Sequence, residues 1–375
     1  MKGLPAAALA AVIAACSTTD AAEATAPSDE SAASERVVVD PARGLGFEGL
    51  DARFADLIDT AAGVEVLAEG FDWSEGPVWV PSLGALLFSD VPGNVVYRWA
   101  PGAEGLGGGG IAGADTFLFP SGYFADPTIG GEPGANGLLL DADGRLLLAQ
   151  HGERQVARLE LTPAEALASG YAAVAKTDFT PLATTFEGAA FNSPNDLTQL
   201  PDGRLLFTDP TYGVDKTFGE DARALDDEAV YAIDPAADPG TAVRVFAGFD
   251  RPNGVAATPA GDSFFVASSV PGQPQWVLCP VPDASGATGP CRNFADASEL
   301  AGEDNPGNAD GLVVLAGGEL LASGPGGVLL YDRAGTHLGT IRTGRATANV
   351  TTGGADGLDI FVTADDLLLR ARLKR

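Results

Sequence analysis

Histidine, methionine and basic side chains are scarce in this chain. Its 375 residues include two histidines, His151 and His337, one methionine and three cysteines. So few nitrogen and sulfur ligands argue against zinc or copper, whose usual centres draw on His and Cys. A Cys–His nucleophile pair would need a well-placed histidine, and neither cysteine of the folded region has such a setting. No G-x-S-x-G elbow occurs, which excludes a metal-free serine esterase. The run Gly105–Gly110 looks like a phosphate loop but lacks a lysine and a strand-to-helix setting, and reads as a plain loop. Lysine and arginine total 22 against 51 acidic residues, a net charge of −29. A surface this acidic repels phosphate backbones and anionic lipid headgroups, so nucleic-acid partners are excluded. It favours solubility and, more weakly, cationic partners, metal ions included.

What is present begins with an apolar run, "LPAAALAAVIAAC", behind a single lysine. It is short for a membrane span and fits a secretory signal. Its ending Ile13-Ala14-Ala15-Cys16 has the form of a bacterial lipobox, in which cleavage precedes Cys16 and the cysteine is acylated. The alternative is an ordinary cleaved signal with a chance cysteine. Ser17, where aspartate would retain the protein at the inner membrane, points to the periplasm or cell envelope, with an outer-membrane lipid anchor as the sole membrane contact. Residues 17–45 are rich in small and acidic residues and cannot order themselves, so they read as a tether. A folded domain at 46–375 follows. Cys279 and Cys291 flank a Pro/Gly-rich stretch within it; in an oxidising compartment a disulfide stapling a hairpin is expected, two free thiols being the alternative.

The folded region repeats itself. Units start at Glu75, Asn136, Asn195, Asn253 and Asp310, spaced 57 to 61 residues apart. Each has a polar residue, a short apolar strand, a Gly-containing turn such as "ADG" or "PDG", and a second apolar strand. A weaker sixth unit, "ANVTTGGADGLDIFVTADDLLLRARL", ends the chain. Periods of this length mean an array or a propeller. The expectation is an all-β, six-bladed β-propeller of four-stranded blades around a central channel, a pair of β-sandwiches being the competitor. The strand missing from the last unit is expected from "GVEVLAEG", ahead of Glu75, which closes the ring and removes its free edges. Helix is expected only at Thr162–Gly170, behind a Thr cap, and at Leu50–Ala62.

In a propeller the residue that opens each unit faces the channel. Glu75, Asn136, Asn195, Asn253 and Asp310 are thus brought together from distant parts of the chain. Converging oxygens suit a hard cation such as Ca²⁺, and two carboxylates without one would repel until one took up a proton. Taken singly, each Asn-Gly or Asp-Gly is a turn dipeptide. Jointly they are harder to dismiss, since "PND" lacks the glycine and "SEGP" is no such turn.

These motifs, "WSEGPVWV", "NGLLLDADGRLLLAQHGERQVARLE", "NSPNDLTQLPDGRLLFTDPTYG", "RPNGVAATP", "NADGLVVLAGGELLASGPGGVLLYD" and "ANVTTGG", stand in the order found in the senescence-marker-protein/gluconolactonase family, which the chain resembles from about Val64 onward. The resemblance implies a six-bladed propeller that holds a divalent cation and hydrolyses lactones. Calcium is the expected ion, with zinc, magnesium and manganese as alternatives. It implies metal ligands at Glu75, Asn253 and Asp310, and at Asn195 either a ligand or a substrate contact beside the metal. Asp310 is expected as base or nucleophile. Two departures stand out: Ala309 precedes Asp310 where relatives have proline, and Gln150 in "AQHG" replaces a glutamate, which puts substrate choice in question. Substrate contacts are expected from Asn136, His151, Asp196, Asp209 and Tyr212, with a structural histidine and a loop-pinning Asp196 as the alternatives. The expected partner is a small lactone or ester, bound by a monomer or dimer. Phosphotriester or aryl-ester hydrolysis on the same site, and a non-catalytic envelope scaffold, are the competing functions.

Overall fold

A computed structural model describes residues 40–102, 113–169, 174–239, 241–283 and 286–375. Cys16 and the glycine run at Gly105–Gly110 lie outside the described residues. Six antiparallel sheets form the blades of a ring, five with four strands and one with five. Blade one runs outward from the channel through Ser74–Val80, Ala85–Asp90, Val95–Trp99 and Asp115–Leu118. The innermost strands of blades two to six are Ala135–Leu140, Leu197–Gln199, Pro252–Ala257, Leu312–Val314 and Thr347–Gly353. Each contacts the innermost strand of its neighbours, blade six touching blade one.

The ring closes as the repeat requires. The outermost strand of blade six is Glu65–Glu69, from the segment before the first repeat, and it pairs with the C-terminal strand Leu367–Arg372. Leu45–Gly49, not foreseen as a strand, adds a fifth to blade five by pairing with His337–Thr343. The strands bury both faces, so their apolar residues pack blade against blade. Leu147, Ala149 and Val156 of blade two, for instance, meet Leu197, Phe207 and Tyr231 of blade three. Burial of this kind, at roughly 25 cal/mol per Å², is the main force holding the blades together.

The helix expected over Leu50–Ala62 shrinks to Ala52–Leu57. Asp51 caps it, and Phe54 anchors it beneath the fifth strand of blade five, but at Ile58 the backbone is already extended. There Asp59 N donates to Arg372 O of the closing strand, a tertiary bond that outweighs helix propensity. Pro163–Ala168 is helical, with Thr162 and Glu165 forming a capping box. A helix at Tyr212–Phe218 was not foreseen. Cys279 and Cys291 form a disulfide, Cα atoms 4.1 Å apart, joining the two outer strands of blade four.

Candidate active site

The innermost strands of blades one, two and four, and the residues leading into those of blades three and five, deliver Glu75, Asn136, Asn253, Asn195 and Asp310 to one cavity of about 630 Å³. The glycines that follow most of these residues are not turn glycines. They sit where neighbouring strands approach each other at the channel. Gly137 N donates to Asn195 O at 2.7 Å, and a Cβ on Gly137 would lie 2.7 Å from that oxygen. A Cβ on Gly254 would collide with the carbonyl of Asp310. The Asn-Gly and Asp-Gly pairs thus record a close backbone approach between blades rather than hairpin chemistry.

The sixth blade departs from this register by one residue. Gly311 N donates to Ala348 O, as Gly137 N does to Asn195 O, so Ala348 holds the ring position and carries no polar side chain. Asn349, one residue later, is buried and donates through Nδ2 to Glu75 Oε2 at 3.4 Å. It was missed as a site residue; the Ala-Asn order in "ANVTTGG" was its signal.

The "NSPND" segment divides its labour. Asn192 N and Ser193 N donate to the two oxygens of Asp209, at 2.8 and 2.7 Å, which pins the loop. Ser193 Oγ donates to Pro210 O and accepts from Gly213 N and Val214 N, capping the helix Tyr212–Phe218. Asn195 reaches the channel. Asp196 accepts from Leu197 N and, across the blade boundary, from Val255 N. It therefore staples blade three to blade four.

Glu75 is buried, its oxygens accepting from Trp73 Nε1, Gly76 N and Asn349 Nδ2, and no cationic side chain pairs with it among the described residues. Burial, reinforced by the nearby Asp196 charge, pushes its carboxyl up to about 7. Asp310 is raised well above the ordinary range by burial first and then by the carboxylates of Glu75, Asp196 and Glu132. Asp310 Oδ1 and Asn195 Oδ1 are both buried without a hydrogen-bond partner. Asn253 Nδ2 donates to Ser269 Oγ, which leaves its amide oxygen for the channel. Orphaned oxygens among repelling carboxylates are what a hard cation satisfies, so these residues fit such an ion. The described residues contain no cluster of three or more His, Cys, Asp or Glu side chains able to hold a metal, so the donor set is two carboxylates plus amide oxygens.

Of the expected substrate contacts, Asn136 and Tyr212 line the cavity, whereas His151, Asp196 and Asp209 do not. Asp209 is fully buried behind the wall with both oxygens engaged, and burial raises it to about 7. His151 is also fully buried, and burial lowers its pKa to about 3, so the ring is neutral. Its Nε2 lies 3.4 Å from Asn195 Nδ2, and it packs so tightly on Gly213 that a Cβ there would come within 2.5 Å of the ring. Its role is to orient the asparagine from behind. Gln150, expected to influence substrate choice, is buried, donating to Ser121 O and accepting from Gln155, and does not reach the cavity.

The geometry agrees with what the chain is similar to. Residues 73–366 match the model of the SMP-30/gluconolactonase/LRE-like region. The gluconolactonase of Zymomonas mobilis is 31% identical over 331 residues, which span 86% of this chain and 84% of that protein. The solved gluconolactonase of Xanthomonas campestris superposes with a TM-score of 0.68 at 26% identity, over 88% of this chain and 95% of that one. Regucalcin of Agrobacterium tumefaciens, a calcium-binding protein, shares the fold at a TM-score of 0.56 and 17% identity, over 82% and 94% of the two chains. On the extent of these matches, the chain belongs to the SMP-30/gluconolactonase/LRE-like family.

Proposed function

We propose that this protein hydrolyses sugar-type lactones in a reaction that depends on a divalent cation, calcium first among the candidates, held by Glu75, Asn195, Asn253 and Asp310. The observation that carries the reading is the pair of inward carboxylates, Glu75 and Asp310, converging with the unpartnered oxygens of Asp310 and Asn195 in a cavity of substrate size. Its relatives in Zymomonas mobilis and Xanthomonas campestris are gluconolactonases. When bound, the cation supplies a fixed positive charge that polarises the lactone carbonyl and stabilises the oxyanion.

The chain's own residues do the rest. Asp310, with one carboxylate oxygen given to the cation, would use its other oxygen to take the proton of the water that attacks the carbonyl carbon, or to attack that carbon itself. In the first case the ring C–O bond breaks and the proton held by Asp310 passes to the freed alkoxide; in the second the alkoxide takes a proton from water and a further water then hydrolyses the acyl–Asp310 anhydride, releasing the hydroxy acid and restoring the carboxylate. Glu75, tied by three hydrogen-bond donors, stays in place as a ligand. Asn195 and Asn253 do not titrate; His151 and Ser269 fix which amide atom each presents. Export and acylation at Cys16 belong to the same reading and would place the enzyme in the cell envelope.

The test is turnover of D-glucono-δ-lactone and a lactone panel by purified protein, with and without chelator. Chelator-sensitive hydrolysis that disappears in Asp310→Asn supports the reading. Absence of turnover on every lactone, or full activity of Asp310→Asn, overturns it.

A further inference from the structure

Two residues before each ring position the repeat presents a second tier: Trp73, Gly134, Ser193, Arg251, Asn308 and Ala346. Trp73, Arg251, Asn308 and Ala346 line the cavity, so this tier forms its wall above the polar ring. Ser193 is committed to capping the helix. The Asn308 amide is committed as well, donating to Ser269 O at 2.6 Å and accepting from Ala309 N at 3.1 Å. Arg251 is the tier's one charged member, and Trp73 belongs to the blade directly opposite in a six-membered ring.

Arg251 is held in place by its backbone while its guanidinium is left open. Its φ is +53°, a left-handed conformation that a non-glycine residue adopts only where the surroundings impose it. Glu228 imposes it by accepting from Arg251 N at 2.7 Å while accepting from Thr211 N at 2.9 Å, and Ser269 N donates to Arg251 O at 3.0 Å. The guanidinium carbon lies 5.7 Å from the centre of the Tyr212 ring, within cation–π range. Lys216, the other cation lining the cavity, pairs with Glu132, and Asp215 pairs with Arg223. Among the described residues the Arg251 guanidinium makes no ion pair; the nearby Asp215 carboxylate feels its charge but is bonded to Arg223. A planar fork at the mouth of a cavity, oriented by an aromatic ring, is the usual receptor for a carboxylate.

We propose that the substrate is a lactone bearing a carboxylate remote from the ester, and that Arg251 is the specificity-determining residue that holds this carboxylate while the ester lies over the polar ring. The inference rests on the lactonase reading and names its substrate class. The test uses the calcium-loaded full chain and two probes, D-glucono-1,4-lactone and D-glucaro-1,4-lactone, which differ in carrying a hydroxymethyl or a carboxylate at the far carbon. The expected result is a kcat/KM ratio of about tenfold in favour of the carboxylate, the scale of one charge-assisted hydrogen-bonded contact. That preference shrinks in about 0.5 M salt. Arg251→Gln removes it, chiefly through KM for the carboxylate probe, and Arg251→Lys restores part of it. If Arg251→Gln lowers the melting temperature, Arg251→Gly, which adopts φ +53° without strain, takes its place in the same measurement. Turnover of both probes without preference, or a preference that survives loss of the arginine, overturns the inference and leaves the lactonase reading standing. Turnover of neither probe overturns the inference, and the lactonase reading falls with it only if the whole lactone panel also fails.

Discussion

Ser193→Ala tests whether the "NSPND" loop builds the cavity wall. Ser193 Oγ is fully buried and makes three hydrogen bonds: to Pro210 O at 2.7 Å, from Gly213 N at 3.0 Å and from Val214 N at 3.2 Å. The helix it caps has seven residues, and Thr211 offers it no side-chain cap. Alanine therefore strands two N–H groups and one carbonyl inside the protein. Each buried orphan costs about 1–3 kcal/mol, and loss of a helix cap alone costs up to about 2 kcal/mol. Allowing for partial relaxation, the expected loss is about 3 kcal/mol, or roughly 4 °C in melting temperature for a domain of this size. The helix carries Tyr212, Asp215 and Lys216 on the cavity wall, whereas Glu75, Asn253 and Asp310 stand on other blades. A loosened wall should thus raise KM several-fold, and any fall in affinity for the proposed cation, read by calorimetry, should come through Asn195, two residues along the same loop, since the other three proposed ligands stand on other blades. A Ser193→Ala protein with wild-type melting temperature and wild-type KM would show that the helix does not depend on the loop, and the reasoning would fail.

Four further outcomes are expected. Reducing the Cys279–Cys291 bond, or replacing both cysteines with serine, should destabilise the protein by about 3 kcal/mol, the loop-closure entropy for a 12-residue separation, read as a lower urea midpoint. Gly254→Ala drives a Cβ into the carbonyl of Asp310, so it should lower calcium affinity as well as stability, and unchanged binding by calorimetry would contradict the close-approach argument. Burial raises Asp209 from 3.8 to about 7, so the folded state holds its proton more tightly than the unfolded chain does. This contribution is complete below about pH 4 and is lost as the pH rises through 7, by at most roughly 4 kcal/mol. Urea unfolding across that window should slope less in Asp209→Asn, and parallel slopes would refute the assignment. On the lipoprotein reading the protein should take up radioactive palmitate and Cys16→Ser should not, and a wild-type protein that takes up no label would refute that reading.

Much of the fold was legible because one register repeats at 57 to 61 residues, and a repeat that long dictates an array of like units. The elements that stayed hidden are those whose stability comes from elsewhere in the chain. "LGFEG" has two glycines and little strand propensity, and becomes a strand only by pairing with the outer edge of blade five. The helix Tyr212–Phe218 is short and begins under a serine some twenty residues upstream. Neither signal is local, so neither could be read locally.

The site divides along the same line. Position in the repeat told which residues reach the channel, and it placed Glu75, Asn136, Asn195, Asn253 and Asp310 at one cavity. It did not tell what nearby polar residues do, because a polar residue beside the channel can face it or brace it from behind. The repeat contains the distinction when read one strand further out. Asp90 and Asp209 close the second strands of blades one and three, in "FSD" and "FTD". Asp90 accepts from Asp72 N and Trp73 N, as Asp209 accepts from Asn192 N and Ser193 N. Gln150, which closes the second strand of blade two, instead donates to Ser121 O, so it braces a different segment and with the opposite polarity. In all three blades the residue at this place braces a loop from behind and does not line the cavity. Gln150 does not reach the cavity, so on the proposed substrate reading discrimination falls to the tier above the ring, where Arg251 and Trp73 stand.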